Sequence, residues 1–302
     1  MKILVCDKTE SECIEQMRAA GLTVDVRDDI TPEQLPEVLP AYDGMVVRSR
    51  TKVRQPLLEV CPNLKVIVRG GVGLDTIDVE FAKSKGIVVM NTPLASSASV
   101  AELTLGYMFA LARSIYQATA SMKSEKWDKK TFEGDEIGGK TLGLIGVGNI
   151  GKAVAARATA LGMTVIAYDP YVKSVDGVRL VTDLDDLLAA SDYISLHLPK
   201  TKESTGMIGQ AQIEKMKNGV RIINCGRGGI VDESALYAAL VSGKVAGAAL
   251  DVFAEEPPTD WKLVKLQNVI GSPHIGAATK EAQGRVGAEV AQKLIDFAKN
   301  AK

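Results

Sequence analysis

Short apolar runs rich in valine and isoleucine alternate with amphipathic segments along the chain. In the first third these runs are KILVCD (2–7), TVDVRD (23–28), GMVVRS (44–49), KVIVRG (65–70) and IVVMN (87–91). Further on they are TLGLIGVG (141–148), TVIAYD (164–169), YISLHLP (193–199), VRIINCG (220–226), AGAALDVF (246–253) and NVIGSP (268–273). Strands that are apolar on both faces and alternate with helices are typical of parallel sheets covered on two sides. The pattern therefore predicts an α/β fold with two doubly wound parallel-sheet domains.

A domain boundary is predicted near residues 91–96. The segment after it, SVAELTLGYMFALARSIY, has apolar residues at helical spacing, and Ser99 with Glu102 matches a capping box at its start. This helix suits a core position and packing against a second subunit equally well. A last helix, about 279–297, can return to the first domain. We therefore expect an outer domain formed by residues 1–95 and 277–302, and an inner domain formed by residues 96–276.

The composition is that of an ordinary globular protein. The chain has 302 residues, of which 46% are hydrophobic and 24% charged, and a length of this order suits two domains. A net charge of −1 argues against a nucleic-acid or membrane-surface role. The N-terminus, MKILVCDK, is charged too early for a signal peptide, and no run approaches the roughly 18 apolar residues of a membrane helix. We expect a soluble, cytoplasmic protein.

The cysteines and histidines do not suggest a metal site. Cys6, Cys13, Cys61 and Cys225 form no CxxC pair and have no zinc-finger spacing, and the chain has only two histidines. Reduced thiols are the expected state in the cytoplasm. We therefore expect no bound metal.

A glycine motif, GVGNIG (146–151), matches G-x-G-x-x-G between the apolar strand TLGLI and the helical segment KAVAARATALG. Gly146 allows a tight turn, Gly148 lets the backbone approach a pyrophosphate, and Gly151 permits close packing of helix on strand. The N–H groups of Asn149 and Ile150 would face the phosphates at the helix N-terminus. The combination indicates a dinucleotide site.

Asp169 ends the next strand, 23 residues after Gly146 (169 − 146). A carboxylate there suits both ribose hydroxyls and repels a 2′-phosphate. The plainer alternative is an ordinary βαβ turn with a solvated aspartate. The coincidence of strand, glycine motif, helix and acid favours a cofactor site, and the cofactor predicted is NAD rather than NADP.

Polar residues follow three later strands, where the carboxyl ends of a parallel sheet form its ligand crevice. INCGRGG places Arg227 between glycines, ALDVFAEEPP brings Asp251, Glu255 and Glu256, and GSPHIG brings His274. Hydride transfer from a hydroxy acid needs a base for the hydroxyl proton, a carboxylate to orient it and a planar cation for the substrate. His274, Glu256 and Arg227 supply all three.

Each of these assignments has a rival. We prefer Glu256 to Glu255 because Pro257 restricts the backbone of the residue before it. His197, in SLHLPKT, also lies at a strand end, but no comparable carboxylate motif accompanies it, so a pocket-lining or structural role is favoured. Cys225 precedes Gly226 and Arg227, yet hydride transfer needs no covalent nucleophile.

The run RSRTKVR (48–54) carries four cations at alternating positions: Arg48, Arg50, Lys52 and Arg54. A solvated edge is the default interpretation of such a run. Because it follows the buried strand GMVV directly, its first members lie at a crevice. Arg48, with Lys52 as a further option, is the predicted contact for a substrate phosphate.

The motifs GVGNIG, INCGRGGIVDE, LDVFAEEP and SPHIGAAT resemble those of the D-isomer-specific 2-hydroxyacid dehydrogenases. Within that family, VVRSRTKV, GVGLDTIDVE, GIVVMNTP and PHIGAATKEAQ are most similar to members that act on a phosphorylated 2-hydroxy acid, and the match runs nearly end to end. The resemblance implies a flavodoxin-like substrate domain, a Rossmann NAD-binding domain and a homodimer built largely through the second domain and the helix near residues 97–117.

The resemblance also implies roles for individual residues. Arg227 would bind substrate, Glu256 would support the histidine, and His274 would give and take the proton. Asp251 would contact the nicotinamide amide. The remaining positions around the cofactor would be Leu198, Cys225, Gly226, Gly276 and Ala277. Those around the substrate would be Arg48, Arg69, Gly70, Gly71, Val72 and Lys129.

Some residues depart from the family's pattern. Many relatives have a hydroxyl residue where Val72 stands, and Lys129 replaces a frequent arginine. Longer members carry a C-terminal serine-binding domain, which we expect to be absent here.

The sequence therefore predicts an NAD-dependent oxidation of a phosphorylated D-2-hydroxy acid, with the two domains closing over the substrate. A glyoxylate or hydroxypyruvate reductase of the same family is the nearest alternative. An NAD-sensing corepressor is the alternative from another class of protein.

Overall fold

The structure is a computed structural model that describes residues 1–300. Its strands form two sheets, and every strand pair in them is parallel. This confirms the predicted α/β fold with two doubly wound sheets. The chain divides into two compact units: Met1–Ser96 together with the segment that begins at Ala278, and Ser97–Ala277.

The first unit contains a five-stranded sheet in the order β2-β1-β3-β4-β5. Its strands are β1 (Lys2–Val5), β2 (Thr23–Val26), β3 (Gly44–Val47), β4 (Val66–Arg69) and β5 (Val88–Asn91). Its helices are α1 (Ser11–Ala19), α2 (Leu35–Val38), α3 (Gln55–Glu59), α4 (Val79–Ser84) and α11 (Lys280–Asn300), with a 3-10 turn at Leu39–Ala41. Along α11, Val286, Val290 and Leu294 are buried against one face of the sheet.

The second unit contains a seven-stranded sheet in the order β12-β11-β10-β9-β6-β7-β8. Its strands are β6 (Thr141–Ile145), β7 (Thr164–Tyr168), β8 (Arg179–Val181), β9 (Tyr193–Leu196), β10 (Val220–Asn224), β11 (Val245–Leu250) and β12 (Val269–Gly271). Its helices are α5 (Ser97–Ala112), α6 (Ile115–Lys123), α7 (Asn149–Ala160), α8 (Leu184–Ala190), α9 (Gln210–Lys215) and α10 (Glu233–Ser242), with a 3-10 turn at Lys129–Phe132. The strand order reverses between β6 and β9, where ligands bind in sheets of this kind.

Two expectations about the elements were wrong, and one short strand was not predicted. The helix expected near residues 97–117 is interrupted: α5 ends at Ala112, Ser114 has a left-handed φ of 47°, and α6 begins at Ile115. Ser99 does not cap α5, because its hydroxyl donates to the carbonyl oxygen of Gly276 (2.6 Å). The short edge strand β8 was not predicted, since its three residues, Arg179–Val181, carry no clear apolar pattern.

The part of the chain that the structure describes contains no helix with the length and apolar character needed to cross a membrane. Within the same residues, no three His, Cys, Asp or Glu side chains are grouped so that they could hold a metal ion. All four cysteines are buried and free.

Candidate active site

The glycine loop lies between β6 and α7, at the point where the strand order reverses. Gly146 has a φ of 92°, and a Cβ atom there would lie 2.7 Å from the carbonyl oxygen of His197. A Cβ atom on Gly151 would collide with the carbonyl oxygen of Gly146. These two glycines are therefore required by close packing of α7 on the sheet.

Gly148 differs from the other two glycines, because a Cβ atom there would meet nothing within 4 Å. The loop is open on this side, and a ligand can approach its backbone. Gly148 is also the N-cap of α7, whose first residues are Asn149 and Ile150. The first backbone N–H groups of a helix point out of its N-terminus and bind phosphate well. The loop thus fits the pyrophosphate of a dinucleotide.

Asp169 follows β7 and is tied to the same loop. One carboxylate oxygen accepts the N–H of Val147 (2.9 Å), and the other accepts the N–H of Tyr171 (2.9 Å). A carboxylate has about four acceptor positions. Asp169 therefore keeps acceptor capacity for hydroxyl groups while its position relative to the glycine loop is held by hydrogen bonds.

Cys225 and Gly226 follow β10 directly, and Leu198 lies two residues beyond β9. Burial raises the pKa of the Cys225 thiol to about 12, so the thiol stays protonated and is a poor nucleophile. A Cβ atom on Gly226 would lie 2.9 Å from the carbonyl oxygen of Leu196, which leaves room only for glycine. The structure places these residues at the carboxyl edge of the sheet, where the cofactor pocket was expected.

His274 lies three residues after β12 in an uncommon backbone conformation, with a φ of 54°. Residues other than glycine pay a conformational cost in this region, and such cases cluster at functional sites. The His274 N–H donates to the carbonyl oxygens of Asp251 (2.8 Å) and Ser272 (3.0 Å). These hydrogen bonds hold the backbone in the conformation that sets the direction of the imidazole.

The imidazole of His274 contacts Glu256, with 2.7 Å between Nδ1 and Oε2. The other oxygen of Glu256 accepts the N–H of Phe253 (3.2 Å), which orients the carboxylate. The neighbouring Glu255 is exposed and instead accepts the hydroxyl of Thr259 (2.8 Å). Of the two glutamates, only Glu256 is paired with the histidine.

The charge state of Glu256 suits this pairing. Burial raises the pKa of its carboxyl group, but the hydrogen bond and charge of His274, the N–H of Phe253 and the charge of Arg227 outweigh burial, and the pKa lies below its usual range. The carboxylate is therefore an acceptor, and Nδ1 of His274 carries the proton that it accepts. Nε2 is left to exchange a proton with a ligand. An apolar cavity of about 450 Å³, lined by Phe253, Trp261 and Val264 among others, opens beside the pair.

Arg227 lies in the turn after β10. The side chain of Asn224 stabilises this turn. The Asn224 side chain donates to the carbonyl oxygen of Arg227 (2.9 Å) and accepts the N–H of Gly226 (3.0 Å). The positive charge of Arg227 contributes to the lowered pKa of Glu256, so Arg227 lies close enough to the His274–Glu256 pair to interact with it electrostatically. Sequence reasoning did not single out Asn224, although a polar residue ending the apolar run VRIIN is a visible signal.

Asp251 is almost fully buried and organises the loop that carries His274. Its carboxylate accepts the hydroxyl of Ser272 and the N–H groups of Ile275 (2.8 Å) and Gly276 (2.7 Å). Three of about four acceptor positions are thus used within the protein. The remaining one, on the oxygen that binds Gly276, is compatible with the expected contact to a nicotinamide amide.

The second histidine, His197, has a different environment. Its Nε2 lies 2.9 Å from the hydroxyl of Ser195, and Nδ1 is enclosed without a hydrogen-bond partner among the described residues. Burial lowers the pKa of His197 to about 4, so its imidazole is neutral at physiological pH. Within residues 1–300, no carboxylate forms a hydrogen bond or ion pair with this imidazole, which fits the structural role favoured from the sequence.

The four cations of the run 48–54 are used differently. Arg50 is held by Asp7 (3.0 Å) and by the carbonyl oxygens of Cys6 and Ile30, and Arg54 pairs with Asp78 (2.8 Å). Lys52 is exposed. Arg48 is half-buried and lines an open cavity of about 700 Å³ in the first unit, together with Glu10, Ala278, Thr279, Lys280 and Gln283. Arg48 therefore faces a cavity of the first unit.

The other predicted substrate residues fall in both units. Arg69 ends β4, and Gly70 lies against Arg48 and Val286, so that a Cβ atom on it would be 3.1 Å from the Val286 side chain. Gly71 has a φ of 151°, and the carbonyl oxygen of Val72 accepts the side-chain N–H of Asn91 (2.5 Å). In the second unit, Lys129 is exposed at the start of a 3-10 turn, and Ala277 follows Gly276.

A glycine loop at the reversal point of a parallel sheet, with a histidine–carboxylate pair at the same edge, is typical of the cofactor-binding domain of nicotinamide-dependent dehydrogenases. The family model for the D-isomer specific 2-hydroxyacid dehydrogenase NAD-binding domain matches residues 105–276. The chain belongs to that family and contains its NAD-binding domain.

Among curated proteins, a D-3-phosphoglycerate dehydrogenase of Archaeoglobus fulgidus is 49% identical over 99% of this chain and 58% of its own length. A hydroxypyruvate reductase of Thermotoga maritima is 53% identical over 89% of both chains. The chain thus spans little more than half the length of the first of these relatives. A solved D-lactate dehydrogenase of Aquifex aeolicus, complexed with NAD and lactic acid, superposes with a TM-score of 0.88 at 32% identity, covering 99% of this chain and 96% of that one.

Proposed function

We propose that the protein oxidises D-3-phosphoglycerate to 3-phosphohydroxypyruvate with NAD, the reaction that opens L-serine biosynthesis. The observation that carries the reaction type is the 2.7 Å contact between His274 and Glu256 beside Arg227 on the NAD-binding domain. The substrate is supported by the name of the Archaeoglobus relative and by the cavity that Arg48 lines. We assign cofactor binding to the second unit and substrate binding mainly to the first.

In this proposal His274 is the base for the substrate hydroxyl. The oxidised nicotinamide, when bound, supplies the acceptor for the hydride that leaves C2. Nε2 of His274 takes the hydroxyl proton, because Nδ1 is engaged by Glu256. The Glu256 carboxylate stabilises the imidazolium that results. The C2–O bond becomes a carbonyl, and the proton on the imidazole passes to solvent before the next turnover.

Arg227 is the substrate clamp of this proposal. Its planar guanidinium can bind a carboxylate through two parallel N–H donors, which also fixes the orientation of the adjacent C2. Asn224 keeps the turn in place through its hydrogen bonds to Gly226 and Arg227. The loop Arg69–Val72 supplies further contacts to the carboxylate and keto oxygen.

Arg48 is the proposed contact for the substrate phosphate. Its cavity carries two cations, Arg48 and Lys280, against one acid, Glu10. Replacing Arg48 with Ala should lower kcat/KM for D-3-phosphoglycerate about 100-fold, since a charge-assisted contact of roughly 2–3 kcal/mol is lost. The same variant should change kcat/KM for D-glycerate less than threefold. Arg54→Ala, which removes a cation paired with Asp78, is the matched control. Equal losses for both substrates in Arg48→Ala would exclude the phosphate role.

A hydroxypyruvate reductase is the second candidate, favoured by the Thermotoga relative, whose length this chain nearly matches. Absorbance at the NADH band separates the candidates in a panel of D-3-phosphoglycerate, D-glycerate, hydroxypyruvate and glyoxylate, each with NAD(H) and NADP(H). A higher kcat/KM for hydroxypyruvate than for 3-phosphohydroxypyruvate would replace our proposal. Tight NADH binding without turnover of any acid would favour the corepressor alternative.

We also propose that the protein is a cytoplasmic homodimer. Large apolar side chains are exposed along α5, α6 and the segment after them: Phe109, Ile115, Tyr116, Met122 and Trp127. An apolar surface of this kind is typical of a subunit interface. The four free cysteines support a reducing compartment.

A further inference from the structure

The loop Ser272–Gly276 is attached to α5 on both sides of His274. Before the histidine, the hydroxyl of Ser272 contacts the hydroxyl of Tyr107. After it, the carbonyl oxygen of Gly276 accepts the hydroxyl of Ser99 (2.6 Å). Tyr107 and Ser99 are both buried. A helix that contributes neither Arg227, Glu256 nor His274 therefore holds the ends of the loop that carries the histidine.

The number of available protons fixes the direction of the hydrogen bonds. The Asp251 carboxylate can only accept, so the single hydroxyl proton of Ser272 is donated to it. The oxygen of Ser272 then accepts the proton of Tyr107. Burial raises the pKa of Tyr107 to about 12, so this phenol remains a donor throughout the working pH range. The hydrogen bonds therefore run from Tyr107 to Ser272 and from Ser272 to Asp251.

Asp251 connects these hydrogen bonds to the backbone of His274. Its carbonyl oxygen accepts the His274 N–H, and its carboxylate accepts the N–H groups of the two residues that follow. A Cβ atom on Gly276 would lie 2.9 Å from the Asp251 carboxylate and 3.3 Å from Val100 of α5, so the loop has little freedom to shift. These contacts surround His274, whose backbone is left-handed with a φ of 54°.

We propose that Tyr107 and Ser272 are positioning residues for His274, acting through Asp251. They hold the imidazole at the distance and angle at which Nδ1 donates to Glu256 and Nε2 faces the substrate hydroxyl. This inference rests on the proposed function of His274 as the base. Small misplacement of a catalytic group slows chemistry while leaving ligand binding nearly intact. A positioning role is therefore separable from a general packing role.

The test is single-turnover hydride transfer, followed at the NADH absorbance, in Tyr107→Phe, Ser272→Ala and the double variant. We expect a loss of about tenfold in Ser272→Ala and about threefold in Tyr107→Phe, as for single buried hydrogen bonds. The dissociation constant of NADH should change less than twofold. In the Ser272→Ala background, Tyr107→Phe should have no further effect, because Tyr107 acts only through Ser272. Ser272→Thr, which restores the hydroxyl, should recover most of the rate.

Tyr237→Phe is the matched control, since Tyr237 is exposed on α10 and the substitution removes the same atom from the same residue type. It should leave the rate unchanged. The proposal is overturned if the two losses multiply in the double variant. It is also overturned if the dissociation constant of NADH rises as much as the rate falls. Wild-type protein that transfers no hydride from any acid would contradict the proposed function itself, and the positioning role then rests on the next measurement.

That measurement is nitrogen NMR of the two histidines, which needs no turnover. At alkaline pH the Glu256 contact should hold His274 in the tautomer with its proton on Nδ1. In Tyr107→Phe and Ser272→Ala, the shifts of the two His274 ring nitrogens should move toward each other as the tautomers exchange. The ring-nitrogen signals of His197 should not shift. Because the chain has two histidines, the pair of signals that does shift is assigned to His274. Unchanged His274 shifts in both variants would overturn the proposal.

Discussion

At the scale of single residues, the two histidines differ in everything that decides acid–base chemistry. The side chain of His274 is 47% exposed and paired with a carboxylate, whereas the imidazole of His197 is enclosed and hydrogen-bonded to a serine hydroxyl. A catalytic base needs access to its substrate and a partner that stabilises its charged form. Only His274 meets both requirements.

The first residue-scale prediction concerns turnover. His274→Ala should lower kcat at least about 1000-fold, the upper part of the usual range for a lost acid–base group. Its dissociation constant for NADH, measured by fluorescence, should stay within twofold of wild type. His197→Gln is the control and should keep kcat within about fivefold. A larger loss in His197→Gln than in His274→Ala would reverse the assignment.

The second residue-scale prediction concerns stability in acid. Burial lowers the pKa of His197 from 6.5 to about 4, so between these values the unfolded chain binds the proton that the folded chain excludes. The contribution of His197 to the free energy of unfolding is therefore complete above pH 6.5. It decreases as the pH drops toward 4, by up to about 1.4 kcal/mol per pH unit. Urea unfolding of wild type and His197→Gln across this range should show a difference that shrinks on acidification. A constant difference would mean that His197 titrates normally.

At the scale of elements, the glycines of the βαβ unit from β6 to β7 have two different roles. Some are required for packing of the helix on the sheet, and one leaves space for a ligand. Gly146 and Gly151 are confined by neighbouring backbone atoms, and Gly148 faces open space. A side chain at Gly148 therefore obstructs an incoming phosphate and disturbs no protein contact.

This difference gives the element-scale prediction. Gly148→Ala should raise the dissociation constant of NADH at least tenfold, about 1.4 kcal/mol, with the melting temperature within about 2 °C of wild type. The control is Gly284→Ala, at an exposed position in the second turn of α11, where an added Cβ atom meets nothing within 4 Å. It should stabilise the protein by about 0.5–1 kcal/mol and leave NADH binding unchanged. Unaltered NADH binding in Gly148→Ala would place the pyrophosphate elsewhere.

Eleven of the twelve described strands could be predicted because buried parallel strands leave uninterrupted apolar runs, as in GMVV and TLGLI. The break between α5 and α6 could not, because Ser114 is no stronger a helix breaker than its neighbours, and only tertiary packing selects its left-handed backbone. The pairing of His274 with a glutamate was anticipated from motifs. The hydrogen bonds from Tyr107 to Ser272 and from Ser272 to Asp251 join residues that are 165 and 21 positions apart in sequence. No local sequence pattern predicts contacts over such separations.

At the scale of the whole molecule, the exposed apolar residues of α5, α6 and the following segment are the clearest feature left without a partner inside one chain. Trp127 is 79% exposed and Tyr116 is 60% exposed. Burying side chains of this size in an interface stabilises association by roughly 1.5–3 kcal/mol each when burial is complete. The predicted state is a dimer.

Light scattering coupled to size exclusion checks this prediction. Wild-type protein should have twice the 32.1 kDa mass of the chain. Ile115→Glu combined with Tyr116→Glu should yield monomers, because two charges then have to lose water at the interface. Tyr171→Glu, at a 93% exposed tyrosine outside this surface, is the control and should remain dimeric. A wild-type monomer at micromolar concentration would contradict the prediction.

The four buried cysteines bear on how the protein responds to oxidants. Burial raises the pKa of Cys6 and Cys225 to about 12, and that of Cys13 and Cys61 to about 11. Peroxides and alkylating reagents attack the thiolate, which is scarce at such pKa values. The protein should therefore keep the activity proposed for it through peroxide stress that inactivates enzymes with reactive thiols. Covalent inhibitors directed at cysteine should likewise react only slowly with its native fold.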